Sequence, residues 1–380
     1  MEDYEIIIVG AGPSGCATAL ALTNLDPSLA SHILLLDKAV FPRVKLCAGG
    51  VIRDADAVLR KLGVQVDLPA HAVHTTKFVL PTGSLTVRHP SHFRVMRRDQ
   101  FDDVLFQAAR QRGVVTRDGE VVETIIRTSQ KVVVRTSRSE YRTKLLIGAD
   151  GANSTVRAAL RLQRGTRLMI AIETFVPLCM IDIPGFSNHM AIFDLSVTSR
   201  GVPGYCWVFP TVNEGPPVLS LGIMAAPWQK DETFTLKAGF ANWLSELGIA
   251  PDRFEQKSHP LLRYDPRAKC SQDRVLLTGD AAGVDPLFGE GISSALALGV
   301  IAAQSVIEAI KTNDFSFSNY EKRIRSSAIG RTMRRRRLIA RRIYSKPLLG
   351  RRYLQYGALL KWIGFLQPKA SARRISWEPL

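Results

Sequence analysis

The chain has 380 residues, 46% hydrophobic and 22% charged, enough for one large domain or two ordinary ones with a real core. That composition excludes a disordered chain, a collagen-like chain and a disulfide-stapled miniprotein. The net charge of +17 is uneven: residues 321–380 hold 17 Lys and Arg against 2 Asp and Glu, and the rest of the chain is nearly neutral. The basic stretch therefore needs its own explanation, and the charge does not point to a nucleic-acid-binding body. Cys16, Cys47, Cys179, Cys206 and Cys270 are scattered, odd in number and free of C-x-x-C spacing. A disulfide framework and a cysteine-based zinc site are not expected, and a reducing, cytoplasmic compartment is. The acidic start Met1–Tyr4 has no basic region of the kind a signal peptide carries, and no apolar run is expected to reach the roughly 18 residues of a spanning helix.

In chain order, Glu5–Gly10 reads as a buried parallel strand, Pro13–Leu25 as a helix of small and apolar residues, and His32–Asp37 as a second buried strand. This is a βαβ unit. Phe41–Gly50 is a loop, and residues 51–63 are predicted helical. Residues 71–96 suggest short strands around Pro81-Thr82-Gly83, and Asp99–Arg112 an amphipathic helix. Alternating β patterns run from 114 to 149 and end in the buried strand Leu145–Asp150. Residues 165–265 read as a mostly antiparallel layer with one helix near 233–247. Val275–Asp280 restores the buried-strand signature, and Gly289–Lys311 is a long helix. The nucleotide fold is thus left and re-entered around an insertion.

Three motifs carry chemistry. Gly10-Ala11-Gly12-Pro13-Ser14-Gly15 matches G-x-G-x-x-G between a strand and a helix, with Asp37 22 residues past Gly15 at the end of the next strand. Glycines there allow a tight turn and close approach of backbone to a pyrophosphate, the helix N-terminus favours phosphate, and the acid suits a ribose hydroxyl. Alone, such a glycine pattern is weak; in this register with strand, helix and acid it is specific. The second motif, Gly148–Arg157, is a strand ending in Asp150-Gly151 before a capped helix; by itself it could be an ordinary turn. The third runs Gly279-Asp280 to Pro286-x-x-Gly289-x-Gly291-Ile292 and opens a helix whose dipole would stabilise negative charge.

Together these motifs resemble the FAD-dependent oxidoreductases of the para-hydroxybenzoate hydroxylase-like fold, over roughly residues 4–310. The resemblance implies an α/β fold: a Rossmann-like FAD-binding domain (1–70, 95–164 and 266–312), an inserted, mostly antiparallel β substrate domain (71–94 and 165–265) and a basic helical C-terminal region (313–380). It implies FAD held by Gly10, Gly12, Pro13, Ser14, Gly15, Asp37 and Lys38 at the ADP half. Asp280 and Gly279 would lie at the ribityl chain, and Gly289, Gly291 and Ile292 at the flavin edge. Arg98 matches the family arginine that reaches FAD, with Arg97 as the alternative, and Asp150 matches the FAD-contacting acid.

Two further stretches resemble the geranylgeranyl reductase family. Phe41-Pro42-Arg43-Val44-Lys45-Leu46-Cys47-Ala48-Gly49-Gly50 is similar to its Pro-Arg-x-Lys-x-Cys-Gly-Gly-Gly loop, with Ala48 in place of a glycine. Tyr205-Cys206-Trp207-Val208-Phe209-Pro210 matches its Tyr-x-Trp-x-Phe-Pro motif, where flavin halogenases carry Trp-x-Trp-x-Ile-Pro. Strand alternation puts Tyr205, Trp207 and Phe209 on one face, as an apolar wall or as plain core. The resemblance implies Cys47 as catalytic residue, Arg43 and Cys47 beside the FAD, and Gly49, Tyr205, Trp207 and Phe209 against substrate. Cys47 lies in an electropositive setting of the kind that activates thiols, although a free cysteine is most often a buried hydrophobe. The seven histidines show no metal-ligand spacing.

The expected activity is reduction of carbon–carbon double bonds in isoprenoid or related lipid chains, with NADPH or ferredoxin as electron donor. The alternative is an FAD monooxygenase hydroxylating an apolar small molecule. In the basic tail, Arg331–Arg342 and Leu348–Leu366 (with Arg351, Arg352 and Lys361) mix apolar residues with positive clusters at near-helical spacing. That suits helices on an anionic membrane surface, hence peripheral association, or else a solvated face; no nucleic-acid module is recognised.

Overall fold

A computed structural model describes residues 2–162, 168–183, 186–187, 189–213, 215–228, 235–345 and 374–379. Two sheets organise the chain. The first is built from β1 (Glu2–Val9), followed by helix α1 (Pro13–Leu25), and β2 (Ile33–Leu36). The chain then leaves for the second sheet through β3 (Gly50–Ile52), helix α2 (Arg53–Lys61), β4 (Ala70–Leu80) and β5 (Gly83–Met96). It returns through helix α3 (Arg98–Gln111), β6 (Val115–Arg117), β7 (Val122–Arg127), β8 (Val132–Thr136) and β9 (Glu140–Gly148). Helix α4 (Thr155–Ala159) precedes the second visit to the other sheet: β10 (Leu168–Pro177), β11 (Met190–Asp194), β12 (Gly204–Thr211), β13 (Val218–Ala225), helix α5 (Leu236–Glu246) and β14 (Lys257–Leu262). The hairpin β15 (Ser271–Gln272) and β16 (Val275–Leu277) completes the first sheet; helices α6 (Ile292–Thr312), α7 (Tyr320–Ser326) and α8 (Ala328–Tyr344) follow.

The first sheet runs β15-β16-β9-β1-β2-β6, with β16, β9, β1, β2 and β6 parallel and the β7–β8 hairpin continuing antiparallel from β9. Its central strands are apolar on both faces, as a parallel sheet covered on two sides requires. Eleven residues of α1 are buried, which explains why its small residues show no polar stripe: it lies between the sheet and α6. At the crossing, a Cβ on Gly299 would fall 2.5 Å from the Ser14 carbonyl oxygen. The α6 segment is, by length and composition, apolar enough to cross a membrane, contrary to the sequence expectation. Its buried residues from Ile292 to Ala309 identify it as a core helix instead.

The second sheet runs β14-β10-β13-β12-β11-β4-β5, with β3 against β5. Every pairing along it is antiparallel except β11–β4. Where short strands were expected over 71–96, β4 and β5 are 11 and 14 residues long and form one hairpin across Pro81-Thr82. Alternation along β12 is clean. Tyr205, Trp207 and Phe209 enter a cluster with Met224, Leu287 and Tyr344, whereas Cys206 and Val208 enter another with Phe240 and Trp243 of α5.

The C-terminal region departs from a simple amphipathic tail. Met333, Arg336, Ala340, Ile343 and Tyr344 of α8 are buried within the protein, while Arg331, Arg334, Arg335, Leu338, Arg341 and Arg342 are exposed. Residues 374–379 form a strand, β17 (Arg374–Pro379), antiparallel to β5, where helix was expected. Leu348–Leu366 lies outside the described residues.

Candidate FAD and lipid site

The G-x-G-x-x-G turn is shaped by close backbone contacts. Gly10 has φ +101° and donates its N–H to the Leu36 carbonyl at 2.7 Å; a Cβ there would stand 2.4 Å from the Ala149 oxygen. A Cβ on Gly15 would stand 1.8 Å from the Gly10 oxygen. Gly12 differs: the nearest atom to its Cβ position is the flexible Arg43 Nη2 at 3.4 Å, so the space before the helix is open. Gly12 is also the N-cap of α1, with no side chain capping the first turn and Pro13 opening it. The unpaired N–H groups of that turn face this space. The Ser14 side chain is buried and pairs with Thr278 Oγ1 at 2.9 Å. Asp37 accepts the Ala11 N–H at 2.7 Å and the Ala39 N–H at 2.9 Å; it is half-buried and keeps acceptor capacity for a ribose, with Lys38 exposed beside it.

Behind the turn, two arginines converge on one buried acid. Asp102 is 0% exposed; it accepts from Arg98 Nε and Nη2, each at 3.0 Å, and from Arg43 Nη2 at 3.0 Å. Burial works against the Arg98 charge, but Asp102, with Cys47 also in contact, outweighs it and raises the pKa above the ordinary arginine range. Arg97 pairs instead with Asp99 at the start of α3. Cys47 is partly buried, and its Sγ accepts the Gly49 N–H at 3.4 Å.

The Cys47 loop brings further charged groups together. Part of Lys45 is open to solvent, yet its ammonium is crowded: desolvation, then Arg98 and Arg43, lower its pKa, and Asp280 opposes them. Burial raises the pKa of Asp280, while Lys45 and Arg98 pull it down. His259 on β14 is pushed down to about 4 by burial and by the same two cations. Asp150 accepts the Val156 N–H at 3.1 Å through Oδ2, but its Oδ1 is buried with no hydrogen-bond partner among the described residues, and burial raises its pKa. Gly151 beside it faces open space at φ +81°.

At the third motif, Gly279 packs its Cα against Ser14, and Gly289 takes φ +63° under Met224. Gly291 precedes Ile292, the first residue of α6, and a Cβ on it would stand 3.5 Å from Asp280 Oδ1. Glu290 caps Ser293. Carbonyls of this loop anchor two tyrosines: Phe288 O accepts from Tyr205 Oη and Leu287 O from Tyr344 Oη, both at 2.7 Å. Asp285 is buried with Arg336 of α8 at 2.9 Å. On the facing sheet, Phe193 lies 5.6 Å from Tyr205, 5.2 Å from Phe209 and 5.2 Å from Phe288, centroid to centroid. The Cys47 loop joins the two halves: Ala48 packs on this aromatic cluster, and a Cβ on Gly50 would touch Phe93 and Phe209.

An open glycine-lined cradle at an uncapped helix, an acid with spare acceptor sites and the orphaned Asp150 Oδ1 fit a dinucleotide-type cofactor such as FAD. The FAD binding domain family matches residues 3–321. The chain belongs to that family. It is an FAD-dependent oxidoreductase. Digeranylgeranylglycerophospholipid reductase 2 of Methanosphaera stadtmanae is 27% identical over 84% of this chain and 81% of its own. Menaquinone reductase of Mycobacterium tuberculosis is 27% identical over 80% and 76%. Among solved structures, a geranylgeranyl bacteriochlorophyll reductase-like protein from Thermoplasma acidophilum superposes with TM-score 0.74 at 21% identity, covering 97% of this chain and all of the other. The flavin-dependent brominase Bmp2 shares the fold at TM-score 0.70 and 19% identity, covering 96% and 93%.

The oxidoreductase thus gathers residues from segments spread between Gly10 and Tyr344. Sequence reading did not single out Asp102, Glu173, His259, Asp285 or Arg336. The Arg98–Asp102 spacing of four on a helix was a usable signal, as was a lone Glu173 in the apolar run Met169–Val176. His259 and the Asp285–Arg336 pair carry no local pattern.

Proposed function

We propose that this flavoprotein reduces carbon–carbon double bonds in isoprenoid or related lipid chains. The observation that carries the reading is the placement of the Cys47 loop. Its own Lys45 and Cys47 meet Arg98 and Asp280 at the cofactor cradle, and its Ala48 and Gly50 pack on the face that holds Phe93, Phe193, Tyr205, Trp207 and Phe209. A long apolar chain laid on that face would run up to the cofactor past Cys47.

FAD, when bound and reduced, supplies hydride to one alkene carbon. The protein's own residues hold and orient. Gly12 and the first turn of α1 would receive the pyrophosphate, Asp37 the ribose, and Asp280 with the start of α6 the flavin end. Arg98 is held by Asp102, so its charge would need no rearrangement during reaction. The aromatic face would exclude water and position the chain, and Cys47, on the loop between that face and the cradle, would deliver a proton to the second alkene carbon. Electrons would come from NADPH or a ferredoxin. The exposed basic face of α8, with Leu338 among its arginines, would hold the enzyme at an anionic lipid surface on the cytoplasmic side.

Chemically reduced enzyme is mixed anaerobically with a geranylgeranyl lipid, and flavin absorbance and product mass are followed. The expected result is flavin reoxidation with a gain of two hydrogens per bond. Reoxidation that needs oxygen and a product that gains an oxygen atom would replace this reading with the monooxygenase.

A further inference from the structure

Directly beneath the Cys47 loop lies a carboxyl group that the cofactor site does not use. Glu173 sits in the middle of β10, on the same sheet face as the aromatic residues, and is 1% exposed. Its Oε1 accepts from Ser220 Oγ at 2.6 Å, and Ser220 in turn accepts from Trp207 Nε1 at 3.0 Å. The Trp207 ring lies across Gly222, where a Cβ would stand 2.0 Å from it, and Gly222 is the cross-strand neighbour of both Trp207 and Glu173. The backbone amide of Cys47 approaches the carboxyl from the loop above. Among the described residues, Oε2 is buried with no hydrogen-bond partner.

We propose that Glu173 is the proton-holding residue of the site, keeping on Oε2 the proton that ends on the second alkene carbon, with Cys47 as intermediary. The inference rests on the reductase reading. As one alkene carbon receives hydride from reduced FAD, the Cys47 S–H bond breaks and a C–H bond forms at the other. The Glu173 O–H then breaks to restore the thiol, and water reprotonates the carboxylate. The two electrons come with the hydride, and the net uptake is one hydride and one proton per bond.

The surroundings favour the acid form. Burial pushes the Glu173 pKa up to about 7, against the Ser220 hydrogen bond and the Cys47 amide, which pull it down. Among the described residues, no cation is paired with it. From β14, Lys257 lies across from it but is exposed and paired with Glu255, and His259 sits one pair further on, facing Lys45 and Arg98. From β12 and β13 come Trp207, Tyr205, Ser220 and Gly222; from the loop comes Cys47, with Arg98 beyond. A reaction that needs the protonated acid slows as pH rises through about 7.

The test uses full-length holoenzyme. Infrared difference spectra of oxidised enzyme between pH 5 and 9 should show a protonated-carboxyl band that titrates near neutrality and is missing in Glu173→Gln. This readout does not depend on which reaction the enzyme runs. In turnover, Glu173→Gln should keep FAD and its KM within about twofold, lose at least tenfold in kcat, and lose the alkaline fall in rate. Ser220→Ala, which removes a bond that favours the carboxylate, should move that fall to higher pH; a purely structural role would not. Absence of the band, or a Glu173→Gln kcat within twofold of wild type at every pH, overturns the proposal. So does an unmoved profile in Ser220→Ala, should Glu173→Gln fail to fold. If wild-type product gains oxygen instead of hydrogen, the reductase reading fails and the relay step with it, and the infrared band alone still decides whether Glu173 holds a proton.

Discussion

Asp102→Ala removes the carboxylate to which two guanidinium groups are hydrogen-bonded, in a place water barely reaches. Asp102 is fully enclosed, and the side chains of Arg98 and Arg43 retain 9% and 15% of their exposure. Three charge-assisted hydrogen bonds disappear together, two from Arg98 and one from Arg43. Arg43 can swing outward with its loop, but Arg98 starts a helix and is held in place. Removing one partner of a buried pair costs about 3–5 kcal/mol, because the remaining charge loses its compensation. A chain of this size has an unfolding entropy worth about 0.8 kcal/mol per degree, so apoprotein melting should fall by about 4–6 °C. Circular dichroism melts of the apoprotein at neutral pH measure this without a contribution from ligand. The double variant Arg98→Met/Asp102→Leu, which substitutes apolar volume for the whole pair, should recover most of the loss. A loss below about 1 kcal/mol in Asp102→Ala would refute the reasoning, since it would mean that Arg98 finds hydration or another acceptor at once.

Gly12→Val and Gly15→Ala should separate cofactor binding from folding. The first side chain meets only the end of Arg43, so the protein should fold, melt normally and stay colourless after incubation with FAD. The second drives a methyl into the Gly10 carbonyl and should cost about 3 kcal/mol, the upper end for overpacking. On α8, changing Arg331, Arg334 and Arg341 together to Gln should leave melting unchanged. It should weaken association with anionic vesicles about 100-fold, from about 1 kcal/mol per charge; equal flotation of both proteins would dismiss the membrane role of this helix.

Much of the fold is legible because its signals are local. β1, β2, β16 and the end of β9 are short apolar runs that lead into Gly or Asp, and each motif lies where such a run meets a helix, whereas β6 (Val115-Thr116-Arg117) carries no such signal. The aromatic face is legible for the same reason, since alternation alone fixes the side of Tyr205, Trp207 and Phe209. What the sequence hides is partnership across the chain. Ser14 has the right place for a phosphate ligand, yet its hydroxyl pairs with Thr278, 264 residues away. The basic pattern of Arg331–Arg342 reads as a surface helix because charge dominates it. Every third or fourth residue is nonetheless committed to the interior, and Arg336 is itself buried on Asp285. Glu173 looks like a misplaced charge in an apolar strand until the loop above and the serine beside it are seen.

The order of strands in the first sheet has a consequence for how the protein is born. β1 leaves the ribosome well before its neighbour β9, which begins at Glu140, and β9 in turn pairs with β16, which ends at Leu277. Pairings of such long sequence separation form slowly, after the intervening chain exists. The nascent βαβ unit therefore waits for β9 while β3 to β8 are synthesised, and the edge of β9 that takes β16 then stays uncovered until β10 to β14 have been made. When Leu277, the end of the last strand of the first sheet, has just emerged, α6, which covers α1, is still inside the tunnel. FAD capture on the nascent chain should begin only once α6 has emerged. Until then the half-built sheet is a client for a chaperone, and supply of the flavin during translation decides how long that exposure lasts.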